Sequence, residues 1–331
     1  MPKILVVLFL WKEYFMRVFT IINGYTGALC LQELIDQGHE VVGVVTAPNF
    51  QSNVPPEQTV IGVAIKKLLP LYMPTYETVA EPAPKFLELF RNAKPDLMVS
   101  MHYPAIFKQV LLDIPPLGCV NIHPSKVPEG RGMTPSWWYL YLGRKAAWTA
   151  LHYLDAGVDS GDVIAFGSTT ITDEDTGATV SKRLSEAAFQ IFRDNLPAIM
   201  AGTAPRQKQN LSKGSYLWSG CNWHLINWSR GARGIRGQIR CFTDTANNAY
   251  TFVGGRKLTI NDAQMANLDL PASRKPSGQD AVPGEVIAIT GKGPLVQTGK
   301  GMLILTDFAI EGEKTDRLGA LVEGSMPVVL G

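Results

Sequence analysis

Three polar residues, Asn121, His123 and Asp159, have the side-chain types that acyl transfer to an amine requires. Residues two apart in a strand point to the same side, so Asn121 and His123 would present an amide and an imidazole together. The amide can donate to an oxygen that gains charge, and the imidazole can move protons near neutral pH. Asp159, in a glycine-rich turn, can set which ring nitrogen carries the proton. The trio predicts an oxyanion donor, a proton shuttle and an orienting carboxylate, without a covalent nucleophile.

The same three residues also allow a purely structural interpretation. Asn121 would cap a turn, His123 would be a hydrogen-bonded polar residue without a reaction, and Asp159 would lie in a solvated loop. Residue types alone leave this alternative open, since any one such trio can arise by chance.

The elements that must position these residues alternate between strand and helix. Apolar spacing predicts strands at 17–22, 39–46, 96–100 and 118–123, and helices at 28–37 and 83–91. This order predicts an α/β fold with a doubly wound, mostly parallel, Rossmann-like sheet. Ligands of such sheets bind at the carboxyl ends of the strands. Asn121 and His123 lie at one such end, immediately before Pro124, which favours leaving regular structure there.

The turn Asn23-Gly-Tyr-Thr-Gly27 follows the first predicted strand and contains two glycines. It has neither the G-x-G-x-x-G spacing of a dinucleotide site nor the lysine of a Walker loop. We therefore predict a tight turn here rather than a nucleotide-binding loop.

The C-terminal part of the chain has a different pattern. Periodicity fails around 201–215, and five short strands follow a helix predicted at 229–240. The strands are predicted at 249–253, 256–260, 284–289, 293–297 and 302–306, with a polar loop at 271–283. Five short strands predict a small OB-like β-barrel domain. The predicted organisation is an N-terminal extension at 1–15, a first domain at 16–204, a linker at 205–217 and the OB-like domain at 218–331.

Composition excludes several classes of protein. The 31 basic and 29 acidic side chains balance, unlike those of a dedicated nucleic-acid binder. The four cysteines form no C-x-x-C pair and have no histidine cluster at zinc spacing, so we expect reduced thiols and no metal. The apolar run at 3–11 is too short for a membrane span and lacks a signal-peptide cleavage site. We expect a cytoplasmic protein.

The stretch Asn121-Ile-His-Pro-Ser125, followed by Pro128, Arg131-Gly132 and Pro135 and later by Asp159-Ser-Gly-Asp-Val-Ile164, resembles a known signature. It is similar to N-x-H-x-S-L-L-P-x-x-R-G-x-x-P with a later D-T-G-D-I, typical of the 10-formyltetrahydrofolate-dependent formyltransferases. In the C-terminal part, Ile226–Arg230, 235–239 and 283–287 resemble the accessory domain of methionyl-tRNA formyltransferases and their amino-sugar relatives. The resemblance extends from Met16 to about Phe308.

This resemblance implies a catalytic Asn121, His123 and Asp159, with 10-formyltetrahydrofolate as formyl donor. It implies that the folate lies along the strand ends and the Asp159 loop. The residues expected to line that pocket are Tyr103, Ile106, Leu154, Gly157 and Gly161. Arg131 is expected to touch the folate tail or the acceptor. The chain departs from the family at Lys126-Val127 and Gly130, which affects the expected acceptor contacts. Trp137 and Trp138 are predicted to pack in a core.

The acceptor amine is ambiguous. Methionyl-tRNA formyltransferases usually carry a basic insertion after the second strand, whereas 48–58 has no basic residue here. Arg230, Arg233, Arg236 and Arg240 recur at helical spacing and predict a basic stripe, with Arg233 and Arg236 as phosphate contacts. We expect initiator methionyl-tRNA as acceptor. An amino-sugar nucleotide, water in a formyl-folate hydrolase, and a non-catalytic folate-binding role are the alternatives. No protein partner is implied.

Overall fold

The computed structural model describes residues 15–47, 55–74, 79, 82–217, 222–243, 247–266, 281–312 and 328–331. The chain divides into two compact units. The first comprises Met1–Thr134, Trp148–Ser168 and Arg183–Ser219, and the second comprises Pro135–Ala147, Thr169–Lys182 and Gly220–Gly331. Each unit is therefore assembled from separate stretches of chain. The predicted linker, residues 205–217, lies wholly within the first unit.

The strands and helices are numbered here in chain order. The strands are β1 (Arg17–Ile22), β2 (Glu40–Val45), β3 (Leu71–Tyr72), β4 (Leu97–Met101), β5 (Cys119–His123), β6 (Arg131–Gly132), β7 (Ala146–Tyr153), β8 (Val163–Thr170), β9 (Tyr216–Leu217), β10 (Ala249–Val253), β11 (Arg256–Met265), β12 (Val286–Thr290), β13 (Gly293–Gln297) and β14 (Met302–Ile310). The helices are α1 (Gly24–Asp36), α2 (Val60–Lys66), α3 (Pro84–Asn92), α4 (Gln109–Leu112), α5 (Trp138–Tyr141), α6 (Gly177–Met200) and α7 (Ala232–Cys241).

A seven-stranded sheet with the order β3-β2-β1-β4-β5-β7-β8 includes the strands predicted before residue 124. The five neighbouring strands β3-β2-β1-β4-β5 all pair in parallel, and β7 pairs with β5 in the antiparallel sense. The predicted mostly parallel sheet is confirmed. The carboxyl ends of β1, β4 and β5 lie at one edge because these strands run in the same direction.

Both faces of this sheet are buried, as a doubly wound fold requires. Alternation along β1 places Val18 and Ile22 in one apolar cluster and Phe19 and Ile21 in another. The first cluster contains residues of α1, α2 and α6, and the second contains residues of α3 and α4. The short apolar run of β1 is therefore explained by burial on both sides.

Helix α1 begins at Gly24, four residues earlier than predicted, so the expected tight turn is wrong in its extent. Gly24 has φ +68°, a left-handed conformation that glycine adopts readily. Gly27 approaches Ile22 closely, since a Cβ there would lie 3.1 Å from the Ile22 Cβ. The two glycines allow the chain to enter the helix directly from the strand.

The Asn23 side chain, just before α1, forms hydrogen bonds that connect the ends of three strands. Its Oδ1 accepts hydrogen bonds from Thr46 Oγ1 and from the Ala47 backbone N–H, both at 2.9 Å. Its Nδ2 donates to the His102 carbonyl oxygen at 3.1 Å. Asn23 is fully buried, so these bonds satisfy a side chain that would otherwise be unpaired. The residue stabilises the edge of the sheet at which ligands are expected.

The second unit contains an antiparallel five-stranded sheet in the order β10-β11-β14-β13-β12. The predicted C-terminal domain of five short strands is confirmed. β11 and β14 are longer than predicted, because they pair with each other from Leu258↔Ile310 to Met265↔Leu303. Cross-strand pairing over that length is a tertiary contribution that short windows of sequence do not contain.

Helix α7 forms although it contains Gly234 and Gly237. A Cβ on Gly237 would lie 1.9 Å from the Leu140 carbonyl oxygen, and one on Gly143 would lie 2.9 Å from the Gly234 nitrogen. The glycines therefore permit close contact of α7 with α5 and with the turn that follows α5. In the same unit Trp138 is 5% exposed, and the Trp137 ring lies 5.5 Å from that of Trp223, as predicted for core packing.

Some predictions fall on residues outside the described ranges. These residues are 1–14 of the predicted extension, 48–54, 271–280 and Cys221. Cys30, Cys119 and Cys241 are free and buried. Among the described helices, none has the length and apolar character needed to cross a bilayer.

Candidate active site

Asn121 and His123 lie on the same side of β5, at the carboxyl edge of the first unit's sheet. Both are buried, with 9% and 5% exposure. β7 runs antiparallel beside them and places His152 directly opposite Asn121. Directly opposed residues of neighbouring strands bring their side chains together. The strand pair thus presents one amide and two imidazoles at this edge.

Asp159 returns to these side chains from the loop between β7 and β8. Its Oδ2 accepts a hydrogen bond from the Gly132 N–H at 2.8 Å and lies 3.5 Å from His123 Nδ1. Its Oδ1 accepts from Asn121 Nδ2 at 3.4 Å and lies 3.6 Å from His152 Nε2. The structure therefore brings Asn121, His123 and Asp159 into one cluster.

The tautomer of His123 follows from its partners. Nε2 lies 2.8 Å from the Gly130 carbonyl oxygen, which can only accept, so Nε2 carries a hydrogen. In the neutral ring Nδ1 then has a lone pair that faces Asp159. Burial lowers the pKa of His123, and the Asp159 charge and the Gly130 carbonyl oppose that effect only in part. The neutral ring can therefore accept a proton at Nδ1, and the resulting cation would lie beside a carboxylate.

Asp159 remains ionised in this cluster. Burial alone would raise its pKa, but the neighbouring imidazoles of His123 and His152 and the Gly132 N–H outweigh burial and hold the pKa well below its usual range. A permanent negative charge beside His123 stabilises the protonated ring whenever it forms.

His152 is a member of the cluster that the sequence interpretation missed. It is fully buried, and its Nδ1 donates to the Tyr153 carbonyl oxygen at 2.8 Å. With its hydrogen on Nδ1, His152 has a lone pair on Nε2 that accepts from Asn121 Nδ2 at 3.1 Å. This bond orients the Asn121 amide. The sequence feature that could have identified His152 is the alternation of side chains along β7, which points His152 to the opposite face from Tyr153.

The loop that carries Asp159 is shaped by its own residues. Asp155 Oδ1 accepts from the Gly157 N–H at 3.0 Å and from Ser160 Oγ at 2.7 Å. A Cβ on Gly161 would lie 1.9 Å from the Tyr153 carbonyl oxygen. Gly157 and Gly161, predicted to line a folate pocket, thus also allow the loop to fold tightly against β7.

The chain has two matches to family models. One, described as "Formyl transferase", covers residues 16–196, and the other, described as "Formyl transferase, C-terminal domain", covers residues 222–325. The chain belongs to the formyltransferase family.

This formyltransferase is similar to one group of known proteins in sequence and to another in fold. A methionyl-tRNA formyltransferase of Geobacter sulfurreducens is 31% identical over 292 residues, covering 86% of each chain. One from Bacillus subtilis is 31% identical, covering 89% of this chain and 90% of that protein. The crystal structure of an N-formyltransferase from Helicobacter canadensis, in complex with folinic acid and dTDP-3-aminofucose, has a TM-score of 0.62 at 16% identity. It covers 89% of this chain and all of that one, and shows a shared fold.

The residues predicted as an apolar folate wall differ in exposure. Tyr103 is 7% exposed and belongs to an apolar cluster against which Leu154 packs, whereas Ile106 is 50% exposed. Next to Tyr103, His102 has φ +52°, and burial together with the charge of His123 lowers its pKa to about 4. His102 is therefore a neutral polar group in this region.

Arg131, predicted to touch the folate tail or the acceptor, is 3% exposed. Its guanidinium carbon lies 4.0 Å from the centre of the Tyr216 ring, and β6 pairs with β9 at these two residues. The structure gives Arg131 a packing contact. Its contact with a ligand remains a prediction.

One residue of the predicted arginine stripe, Arg230, does not lie on the helix of the second unit. Arg230 precedes α7, lies over the Tyr141 ring, and donates to Gln238 Oε1 and to the Tyr141 carbonyl oxygen. It supports packing rather than forming a stripe on the helix surface, because the chain becomes helical only after Gly231.

The other three arginines of the stripe line a pocket within the second unit, together with Arg144 and Asp173. Arg236 donates to the Ala263 carbonyl oxygen at 3.0 Å and pairs with Asp173, while Arg233 is exposed. We call this set of five charged residues the arginine pocket. Four guanidinium groups against one carboxylate leave an excess of positive charge that suits an anion. Among the described residues no group of His, Cys, Asp and Glu has the arrangement of a metal site.

Proposed function

We propose that the chain transfers the formyl group of 10-formyltetrahydrofolate to the amino group of methionyl-tRNA in the cytoplasm. The main support for formyl transfer is the buried cluster of Asn121, His123 and Asp159 at the carboxyl edge of the sheet. The similarity to methionyl-tRNA formyltransferases over most of the chain supports the acceptor.

The folate supplies a formyl carbon bound to its N10 nitrogen. During transfer the bond from this carbon to the acceptor nitrogen forms and the bond to N10 breaks. One proton must therefore leave the acceptor nitrogen and one must reach N10. A single group that first accepts and then donates a proton serves both needs.

His123 is suited to that proton transfer at Nδ1. Its Nε2–H is engaged by the Gly130 carbonyl oxygen, so Nδ1 is the nitrogen with a lone pair in the neutral ring. Asp159, 3.5 Å from Nδ1, stabilises the imidazolium after it has taken the proton. The same proton is then available for N10.

Asn121 is suited to stabilise the formyl oxygen as that oxygen gains charge. Its Nδ2 has two hydrogens, one directed at His152 Nε2 at 3.1 Å and one at Asp159 Oδ1 at 3.4 Å. The longer bond is the weaker of the two and is the one that a formyl oxygen would replace. His152 would keep the amide in the required orientation during this exchange.

We assign the pterin end of the folate to the residues beside this cluster. Tyr103, Ile106 and Leu154 offer apolar surface, and the loop containing Gly157 and Gly161 carries Asp159 beside them. Apolar walls with a few polar groups suit a flat heterocycle.

For the acceptor, Arg233 and Arg236 of the arginine pocket are the proposed contacts to tRNA phosphates. Arg233 is exposed and can meet a phosphate directly. An amino-sugar nucleotide is the second candidate acceptor, since 48–58 contains no basic residue and the Helicobacter canadensis N-formyltransferase has the same fold.

A single assay separates these acceptors. The full-length protein is given 10-formyltetrahydrofolate with methionyl-tRNA, with amino-sugar nucleotides or with no acceptor, and tetrahydrofolate release is followed. We expect release that depends on methionyl-tRNA. Release only with a sugar nucleotide would replace the proposed acceptor, and equal release without any acceptor would make the chain a hydrolase. Folate binding with no release under any condition would contradict catalysis.

A further inference from the structure

Gln209 holds the loop that carries Asp159, although it lies outside the predicted catalytic motifs. Its Nε2 donates to the Asp159 carbonyl oxygen at 2.9 Å and to the Gly161 carbonyl oxygen at 2.7 Å. Both amide hydrogens are therefore used on two backbone oxygens, two residues apart. One side chain bridges the turn from which the Asp159 carboxylate projects.

The backbone at Asp159 requires such support. Asp159 has φ +46°, the left-handed region that residues with a side chain rarely occupy. Such conformations persist where the surroundings over-determine them. The carboxylate faces Gly132, His123 and Asn121 only while the backbone keeps this turn.

The segment that carries Gln209 is itself anchored to the first unit. Gln207 and Val163 exchange two backbone hydrogen bonds, at 2.8 and 2.9 Å. Farther along, the Gly130 N–H donates to Ser215 Oγ at 2.9 Å, and β9 pairs with β6. Gln209 lies between these two anchors, so its amide is held where it meets the loop.

We propose that Gln209 is a positioning residue that holds the Asp159 carboxylate against His123 by fixing the Asp159–Gly161 turn. The consequence for turnover rests on the proposed formyl transfer. The consequence for the Asp159–His123 pair does not, because that pair exists in the protein without any substrate.

The main test replaces Gln209 with methionine, which has similar length but no N–H donors. The titration of the His123 ring is followed by NMR in the full-length protein. Asp159 partly opposes the lowering of the His123 pKa by burial, so a displaced carboxylate should lower that pKa further. Gln207→Met is the matched control, since Gln207 is exposed and two residues away. We expect a lower His123 pKa in Gln209→Met and the wild-type value in Gln207→Met.

Turnover gives a second readout. A displacement of about 1 Å in a catalytic group can lower kcat by roughly a hundredfold, so we expect kcat to fall by about 10- to 100-fold in Gln209→Met. Gln209→Met should add almost nothing to Asp159→Asn, because both changes act on the same carboxylate. Independent, multiplicative losses would overturn the proposal, as would an unchanged His123 titration in a folded Gln209→Met.

The wild-type protein provides a measurement that does not depend on the folding of a variant. The side-chain amide hydrogens of Gln209 should exchange with solvent more slowly than those of the exposed Gln207. Equal exchange would also overturn the proposal. If no acceptor is formylated but the His123 titration shifts as expected, the proposed function fails and the positioning role stands.

Discussion

The two candidate sites of this protein differ in how they balance charge. Around the single carboxylate of Asp159 are two imidazoles, an amide and a backbone N–H, with all four contacts within 3.6 Å. Four arginines and one carboxylate, Asp173, line the arginine pocket, and Asp175 also acts on Arg240. The first site is buried, and its one negative charge is held by polar groups, which suits proton transfer in a preorganised environment. The second retains positive charge toward solvent, which suits a phosphate. Substitutions should therefore affect turnover at the first site and salt-dependent binding at the second.

The largest effects are expected from His123→Ala and Asn121→Ala. Each should reduce turnover by roughly a hundredfold or more, the size expected for losing a proton shuttle or an oxyanion donor. Folate affinity, measured by calorimetry, should change little. Asn92→Ala, at an exposed asparagine of the first unit, is the control and should keep wild-type turnover. Near-normal rates in both active-site variants would remove the proposed mechanism.

Asp159→Asn should lower turnover by at least roughly tenfold, because it keeps the shape of the side chain and removes the charge that supports a protonated His123. The substitution should also shift the pH dependence of turnover, in a direction that follows from the His123 pKa. Loss of the carboxylate lowers the pKa of His123 further, so the neutral ring persists to lower pH and the acid limb of the rate profile moves to lower pH.

Asp113→Asn, at an exposed carboxylate of the same unit, should leave both the rate and the profile unchanged. If Asp159→Asn matches wild type in rate and pH profile, Asp159 has no catalytic role. If it unfolds the protein, the role of Asp159 is structural.

Smaller effects are expected at the arginine pocket. Arg233→Glu combined with Arg236→Glu should raise the apparent KM for methionyl-tRNA about tenfold and reduce the salt slope by about 2, since each lost phosphate contact contributes about 0.9. Turnover at saturating tRNA should change little. Lys66→Glu with Lys67→Glu makes the same charge change at exposed residues of the first unit. A KM that responds equally to both pairs would show a general charge effect rather than a site.

The smallest effect on chemistry is expected from Gly237→Ala in α7. Its Cβ would lie 1.9 Å from the Leu140 carbonyl oxygen, so we expect a loss of about 1–3 kcal/mol in stability, seen as a lower denaturation midpoint. Gly291→Ala is the control, because no atom lies within 4 Å of the position of its Cβ. Equal midpoints for the two variants would mean that α7 does not depend on this close contact.

The agreement between sequence and structure depends on how local each feature is. The strand predicted at 17–22 was observed with the same bounds, because its apolar run is buried on both faces by neighbouring elements. The predicted five-stranded C-terminal pattern was also observed. The start of α1 was missed because it depends on Gly24 and on the tertiary bonds of Asn23, and neither contributes to helical periodicity.

The candidate site shows the same division. The sequence by itself determined the residue types and spacing around Asn121, His123 and Asp159, and with them the mostly parallel sheet and the family. Only the tertiary structure decided that His152 orients the Asn121 amide, that Gln209 supports the Asp159 turn and that Arg230 turns away from the arginine pocket. The physical reason is that hydrogen bonds between residues distant in the chain depend on where strands and loops meet. Local periodicity describes which face of an element is apolar, and it contains no information on the partner that this face receives.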